Sequence, residues 1–230
     1  MPVAQNNKVL FIHIPKNAGK SIEVALGITT SQEAIKYTWR KTLNRIAVFL
    51  LRLTKDKKSH DRIWGIIDYT FTAQHLTLQE ILNSQLINPY EKDNFITIAV
   101  VRNPYDRAVS SYNHFCSQNT EQISFLDFLN TFFVYQKNDR HNVIAHKRTQ
   151  SEFLRDTYGN IKIKYLLRFE NLNEDFKSFA DDLNLNQKSL DKIGAKKRNH
   201  NNYRKYYCDE SKKIIEEYFK DDLENFSYTF

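Results

Sequence analysis

Cysteine, glycine, proline and long apolar runs are all scarce in this chain, and each scarcity removes a class of protein. The two cysteines, Cys116 and Cys208, have neither the density of a disulfide framework nor the spacing of a metal site, so free thiols in a reducing compartment are expected. Five glycines and four prolines among 230 residues leave no room for a Pro/Gly-rich linker, and no repeat or low-complexity tract is present. A single domain over residues 1–230 is the expectation. The apolar run "IAVFLL" (46–51), flanked by Arg45 and Arg52, is too short to cross a bilayer. The first residues also lack the apolar stretch of a signal peptide, so a soluble, cytoplasmic chain is expected. Acid is the scarcer charge: 27 Asp and Glu against 34 Lys and Arg leave a formal charge of +7, which draws anions to the surface. Nucleic acid, anionic glycan, anionic lipid and a phosphorylated cofactor all fit that excess. Residues 37–58 carry apolar side chains near helical spacing among many basic ones. That pattern suits an ordinary amphipathic helix with a solvated basic face, or one in peripheral contact with a membrane.

What is present is an alternation of apolar runs and amphipathic segments. "KVLFIHI" (8–14) is a β-rich run, followed by "SIEVALG" (21–27), a helix that stops at Gly27. "NFITIAVV" (94–101) reads as a strand buried on both faces, and "DRAVSSYNHF" (106–115) as the helix after it. "IKIKYLLRF" (161–169) repeats the pattern with "NEDFKSFADDLNL" (173–185), and "DESKKIIEEYFKDDLENF" (209–226) is expected to form one further amphipathic helix. Strands alternating with helices predict an α/β fold with a central parallel sheet flanked by helices. Ligands of such sheets sit beyond the carboxyl ends of the strands.

Three strand ends carry the chemistry. After the first comes "PKNAGKS" (15–21), which closes like a Walker A loop in Gly19-Lys20-Ser21, yet the glycine that motif needs five residues before Gly19 is Ile14. Small residues there let backbone N–H groups approach an anion, and Lys16 or Lys20 supplies a full positive charge. A nucleoside triphosphate site also needs a carboxylate near the end of a neighbouring strand to hold magnesium. The neighbouring strands end instead in Arg102 and Arg168, with Glu170 two residues beyond the latter. Cations at those positions suit a ligand with additional phosphate and no metal. Past Arg102, Asn103-Pro104 imposes a turn, and the next helix places Arg107, Ser110, Ser111 and His114 on one face.

"FIHIPKNAGKS" and "VVRNPYDRAVSSY" together resemble the sulfotransferases that use 3′-phosphoadenosine 5′-phosphosulfate (PAPS), in particular the carbohydrate sulfotransferase branch and its bacterial relatives. The resemblance implies a P-loop NTPase-like three-layer fold. It also implies that Lys16, Asn17, Ala18, Gly19, Lys20 and Ser21 cradle the 5′-phosphosulfate, while Arg102 and Ser110 bind the 3′-phosphate. "AQHLTLQEI" (73–81) is similar to the segment that carries the family's histidine base and singles out His75. "KRNHNNYRKYY" (197–207) corresponds to a loop over the nucleotide, with Arg198 and Tyr203 as contacts. Lys20 stands where the family has threonine.

The implied reaction is an in-line sulfuryl transfer without metal: His75 takes the acceptor hydroxyl's proton and Lys16 steadies the departing phosphate oxygen. His13 is the alternative base. The implied acceptor is a hydroxyl on a glycan or glycolipid, with Arg148 and Gln150 as acceptor-side polar groups, and a bacterial source is expected. A P-loop kinase and a non-enzymatic polyanion binder are the competing interpretations, although no recognised nucleic-acid motif is present.

Overall fold

The computed structural model describes residues 3–4, 8–28, 75–83, 94–118, 123–135, 145–191 and 200–230. Among these residues four strands form one sheet in chain order: β1 (Val3–Ala4), β2 (Val9–Ile12), β3 (Ile96–Val101) and β4 (Tyr165–Arg168). β1 pairs antiparallel with β2, whereas β2, β3 and β4 run parallel, in registers such as Phe11 opposite Ile98 and Val100 opposite Leu167. The parallel trio comprises the three runs expected from the sequence. The two-residue β1 lay below the length at which a periodicity can be seen.

The pleat explains the layers. Successive strand residues point to opposite faces, so Leu10, Ile12, Ala99 and Val101 go one way and Val9, Phe11, Ile98 and Val100 the other. The first set packs against three short helices, α2 (Leu78–Asn83), α5 (Gln150–Leu154) and α8 (Lys220–Phe226), through Leu78, Ile81, Phe153, Leu154 and Phe226. The second set is covered by α1 (Gly19–Ala25) and α6 (Leu172–Asp182) through Ile22, Phe176, Phe179 and Ala180. Helix, sheet, helix is therefore the layer order. A further core joins α3 (Pro104–Gln118), α4 (Phe125–Leu129) and α7 (Asp209–Tyr218), with Tyr105, Phe128, Ile215 and Phe219 at its centre. Among the described residues no helix is long and apolar enough to cross a membrane.

Two elements depart from the sequence expectation. The segment 209–226 is two helices, because the chain breaks at Phe219 (φ −109°, ψ 25°), whose ring is 1% exposed in the third core. The break lets α8 turn its Asp222 towards α5. α3 begins earlier than expected, at Pro104, whose fixed φ and missing N–H suit a first helical position, and Asn103 Oδ1 accepts the Tyr105 N–H at 3.0 Å. Arg198 and the segment 37–58 lie outside the described residues.

Candidate active site

The loop between β2 and α1 lies at the carboxyl end of the sheet. Lys16 and Ala18 both take left-handed backbone (φ 73° and 60°), which is uncommon for residues with a side chain and alternates along the loop as it does where successive N–H groups converge on an anion. Asn17, 1% exposed, pins the loop to the sheet: Nδ2 donates to the Val100 carbonyl and to Gln150 Oε1, each at 2.7 Å. Its Oδ1 is a buried acceptor with no partner among the described residues. Gly19 and Ser21 are buried while Lys20 is exposed.

Arg102 directly follows β3 and folds back over the loop. Its Nε and Nη2 meet Asp106 Oδ2 at 2.8 and 2.7 Å, its Nη1 donates to the Lys16 carbonyl at 2.7 Å, and Phe169 lies 4.0 Å from its Cζ. Ser110 is buried on α3 one turn beyond Arg107. Tyr203 lies in a 3-10 segment (His200–Tyr206), its hydroxyl 3.4 Å from Nδ2 of Asn103, the residue that follows Arg102. Arg168 faces elsewhere. It donates to the Phe226 carbonyl at 2.8 Å and lies over Tyr228, a brace for the C-terminal segment. Glu170 accepts from the Asn103 N–H and the Tyr228 hydroxyl.

Four histidines run in file beside the loop. His13 and His75 meet edge to face with ring centroids 4.6 Å apart, His75 and His146 follow at 5.8 Å, and His146 stacks on His114 at 5.9 Å. His13 Nδ1 is 2.6 Å from Glu23 Oε1, both side chains being buried. The Nε2 edge of the same ring lies against Gly19, where an added Cβ would fall 2.0 Å away. His75 Nδ1 faces the His13 carbonyl at 3.4 Å, and a proton donated there leaves Nε2 as the open lone pair.

The electrostatics keep two of these rings, His75 and His146, neutral. Burial pulls His75 well below the ordinary histidine value, helped by repulsion from His13, His146 and Lys16 and opposed by the bond to the His13 carbonyl. His146 falls to about 3 through burial first, then Lys16, Arg107 and the neighbouring histidines. Arg107, 2% exposed, is pulled by burial down to about 10 against the attraction of Asp222. Its Nε and Nη1 donate to the carbonyls of Pro15 and Arg148, so it is a strut beneath the loop rather than a surface charge.

The two expected acceptor-side groups, Gln150 and Arg148, both pair within the protein. Gln150, expected on the acceptor side, is 0% exposed and spends its amide on Asn17 and Arg102. Arg148 forks the Glu80 carboxylate at 2.6 and 2.8 Å. None of these pairings was visible from spacing, because the partners lie 48 to 133 residues away in sequence. Glu23 and Glu80 were missed outright. Glu23 sits one turn into α1, where its carboxylate meets Nδ1 of the buried His13 ring, and nothing in the ten-residue spacing marked that contact.

The chain matches the model of the sulfotransferase family over residues 1–229. No curated protein and no solved structure matches it.

Proposed function

Because this chain belongs to the sulfotransferase family, we propose that it transfers the sulfuryl group of PAPS to a hydroxyl of a carbohydrate or glycolipid, with His75 as general base. The donor supplies the sulfuryl group and a phosphate oxygen as leaving group. The residues of 16–21 fit an anion of that kind: left-handed backbone at Lys16 and Ala18, no side chain at Gly19, and lysines at 16 and 20. In this reading Lys16 meets the charge that develops on the departing oxygen, while Arg102 and Ser110 hold the 3′-phosphate. Tyr203 and Arg198 close over the nucleotide.

The observation that favours His75 over His13 is the use of the ring nitrogens. His13 has Nδ1 on Glu23 and its Nε2 edge against Gly19, whereas His75 has Nδ1 on a carbonyl and Nε2 uncommitted by that bond. A neutral His75 is ready to accept a proton at neutral pH, and an anionic donor beside it strengthens the base at the moment it is needed. Acidic saccharides suit a surface of net charge +7. The two free cysteines suit a reducing, cytoplasmic setting.

Calorimetric titration in the presence of a chelator tests the donor: adenosine 3′,5′-bisphosphate should bind far more tightly than ATP. His75→Ala should slow PAPS consumption by about 10²-fold or more, the contribution of a positioned base. Equal binding of the two nucleotides, or full activity in His75→Ala, refutes the corresponding part.

A further inference from the structure

The His75 segment and the loop are far apart in sequence, and residues 148–151 touch both. At one end the Arg148 guanidinium forks Glu80, with Nη2 on Oε1 at 2.6 Å and Nη1 on Oε2 at 2.8 Å. Glu80 in turn accepts the Thr77 N–H at 2.9 Å, and Thr77 Oγ1 accepts the Glu80 N–H at 3.1 Å. That reciprocal pair closes the first turn of α2, two residues after His75. At the other end the Gln150 amide behaves as a strand's peptide would at the tip of β3. Its Oε1 accepts the Arg102 N–H at 2.9 Å, its Nε2 donates to the Arg102 carbonyl at 2.8 Å, and Oε1 also takes Asn17 Nδ2 at 2.7 Å. One side chain thus clasps both the loop and the arginine after it. The strip itself is fixed to α8, since the N–H groups of Gln150 and Ser151 go to Asp222 Oδ2 and Oδ1 at 2.8 and 2.7 Å.

We infer that residues 148–151 are a gauge that sets the spacing between His75 and the donor loop, with Arg148 and Gln150 as positioning residues at its two ends. The inference rests on the sulfuryl-transfer reading above. In-line displacement needs the attacking oxygen within about 3–3.5 Å of the reacting atom, and a misplacement of about 1 Å costs on the order of 10²-fold in rate. Base and donor sit on separate segments, so something rigid must hold their separation. The fork and the amide clasp are both directional and both buried or half-buried, as a spacer requires.

The two ends should fail differently. Gln150→Glu keeps the shape but sets a carboxylate oxygen against the Arg102 carbonyl, so the donor side loosens. Affinity for adenosine 3′,5′-bisphosphate should fall by about tenfold or more. Arg148→Lys replaces a fork with a point charge, so the His75 side loosens: kcat should fall by about tenfold while adenosine 3′,5′-bisphosphate affinity stays within about twofold. Calorimetry and steady-state kinetics on the full chain read both, with circular dichroism confirming the fold. Gln150→Asn, which keeps both amide groups one methylene short, gives the donor-side reading if the glutamate variant does not fold. Folded variants with unchanged affinity and kcat, or Arg148→Lys lowering affinity as much as kcat, overturn the gauge while leaving the function intact. A wild-type chain that does not bind adenosine 3′,5′-bisphosphate overturns the function and the gauge together.

Discussion

The imidazole of His13 occupies the space in which a side chain on Gly19 would stand: an added Cβ would lie 2.0 Å from Nε2 and 2.2 Å from Cδ2. Gly19 has ordinary negative-φ backbone, unlike Gly27 and Gly159, so what the position requires is room and not conformational freedom. Gly19→Ala should therefore push the ring off Glu23 and cost about 1–3 kcal/mol, the usual range for overpacking. Urea denaturation in a double-mutant cycle isolates the cause: the same substitution in a His13→Ala background should cost clearly less. Equal costs in the two backgrounds would show that the ring is not what excludes a side chain.

Acid should destabilise the fold earlier than its carboxylates alone would require. His75 and His146 titrate in the folded chain below their ordinary value of 6.5, so between that value and their folded ones the unfolded chain binds the extra protons. Their contribution is complete above about pH 6.5 and is lost as pH falls, down to about 3 for His146. Each contributes a slope of at most about 1.4 kcal/mol per pH unit. Asp222, raised by burial against the pull of Arg107, works in the opposite direction near the carboxylate range, so the histidine effect is best read above about pH 5. Stability measured in urea from pH 7 to 5 should fall in the wild type and flatten in His75→Gln/His146→Gln. An unchanged slope in the double variant would remove the histidines as its source.

Arg102 illustrates why arginine and lysine are not equivalent at a strand end. Its fork reaches Asp106 with two nitrogens and the Lys16 carbonyl with a third, and its plane lies on Phe169. An ammonium cannot make that set. Arg102→Lys should lower affinity for adenosine 3′,5′-bisphosphate by about tenfold or more, with a smaller effect on AMP, which lacks the 3′-phosphate. Equal losses for the two nucleotides would assign Arg102 to loop shape alone.

The parallel trio and its flanking helices were legible in the sequence because burial on both faces leaves an unbroken apolar run, as in "FITIAVV", and the covering helices show a periodic apolar face. The loop was legible for a local reason too: its small residues and lysines are consecutive. What escaped is everything that depends on long-range pairing. Gln150 and Arg148 were expected as acceptor-side polar groups, and only the fold shows that one caps the tip of β3 while the other holds Glu80. The break at Phe219 escaped because 209–226 keeps one amphipathic period through it, and the turn is imposed by where Phe219 and Asp222 are buried. Arg168 stands at the strand end the sequence predicts, but strand-end placement does not say which way a long side chain folds, and this one turns to the Phe226 carbonyl.

Asp222 provides the sharpest test of how α8 supports the site. Its carboxylate is fully buried and accepts two backbone N–H groups, those of Gln150 at 2.8 Å and Ser151 at 2.7 Å, at the start of α5. Arg107 offsets part of the cost of burying that charge. Asp222→Asn is nearly isosteric, but one of its two terminal groups is now a donor that must face a donor. One N–H of α5 loses its acceptor, and a buried unsatisfied polar group costs about 1–3 kcal/mol. Because those residues flank the Gln150 amide, the variant should also weaken adenosine 3′,5′-bisphosphate binding, although Asp222 lies behind Gln150 and not in the loop. Denaturation in urea gives the first quantity and calorimetry the second. A variant that loses stability yet binds as the wild type does would mean that Gln150 keeps its grip on Asn17 and Arg102 without the anchor behind it.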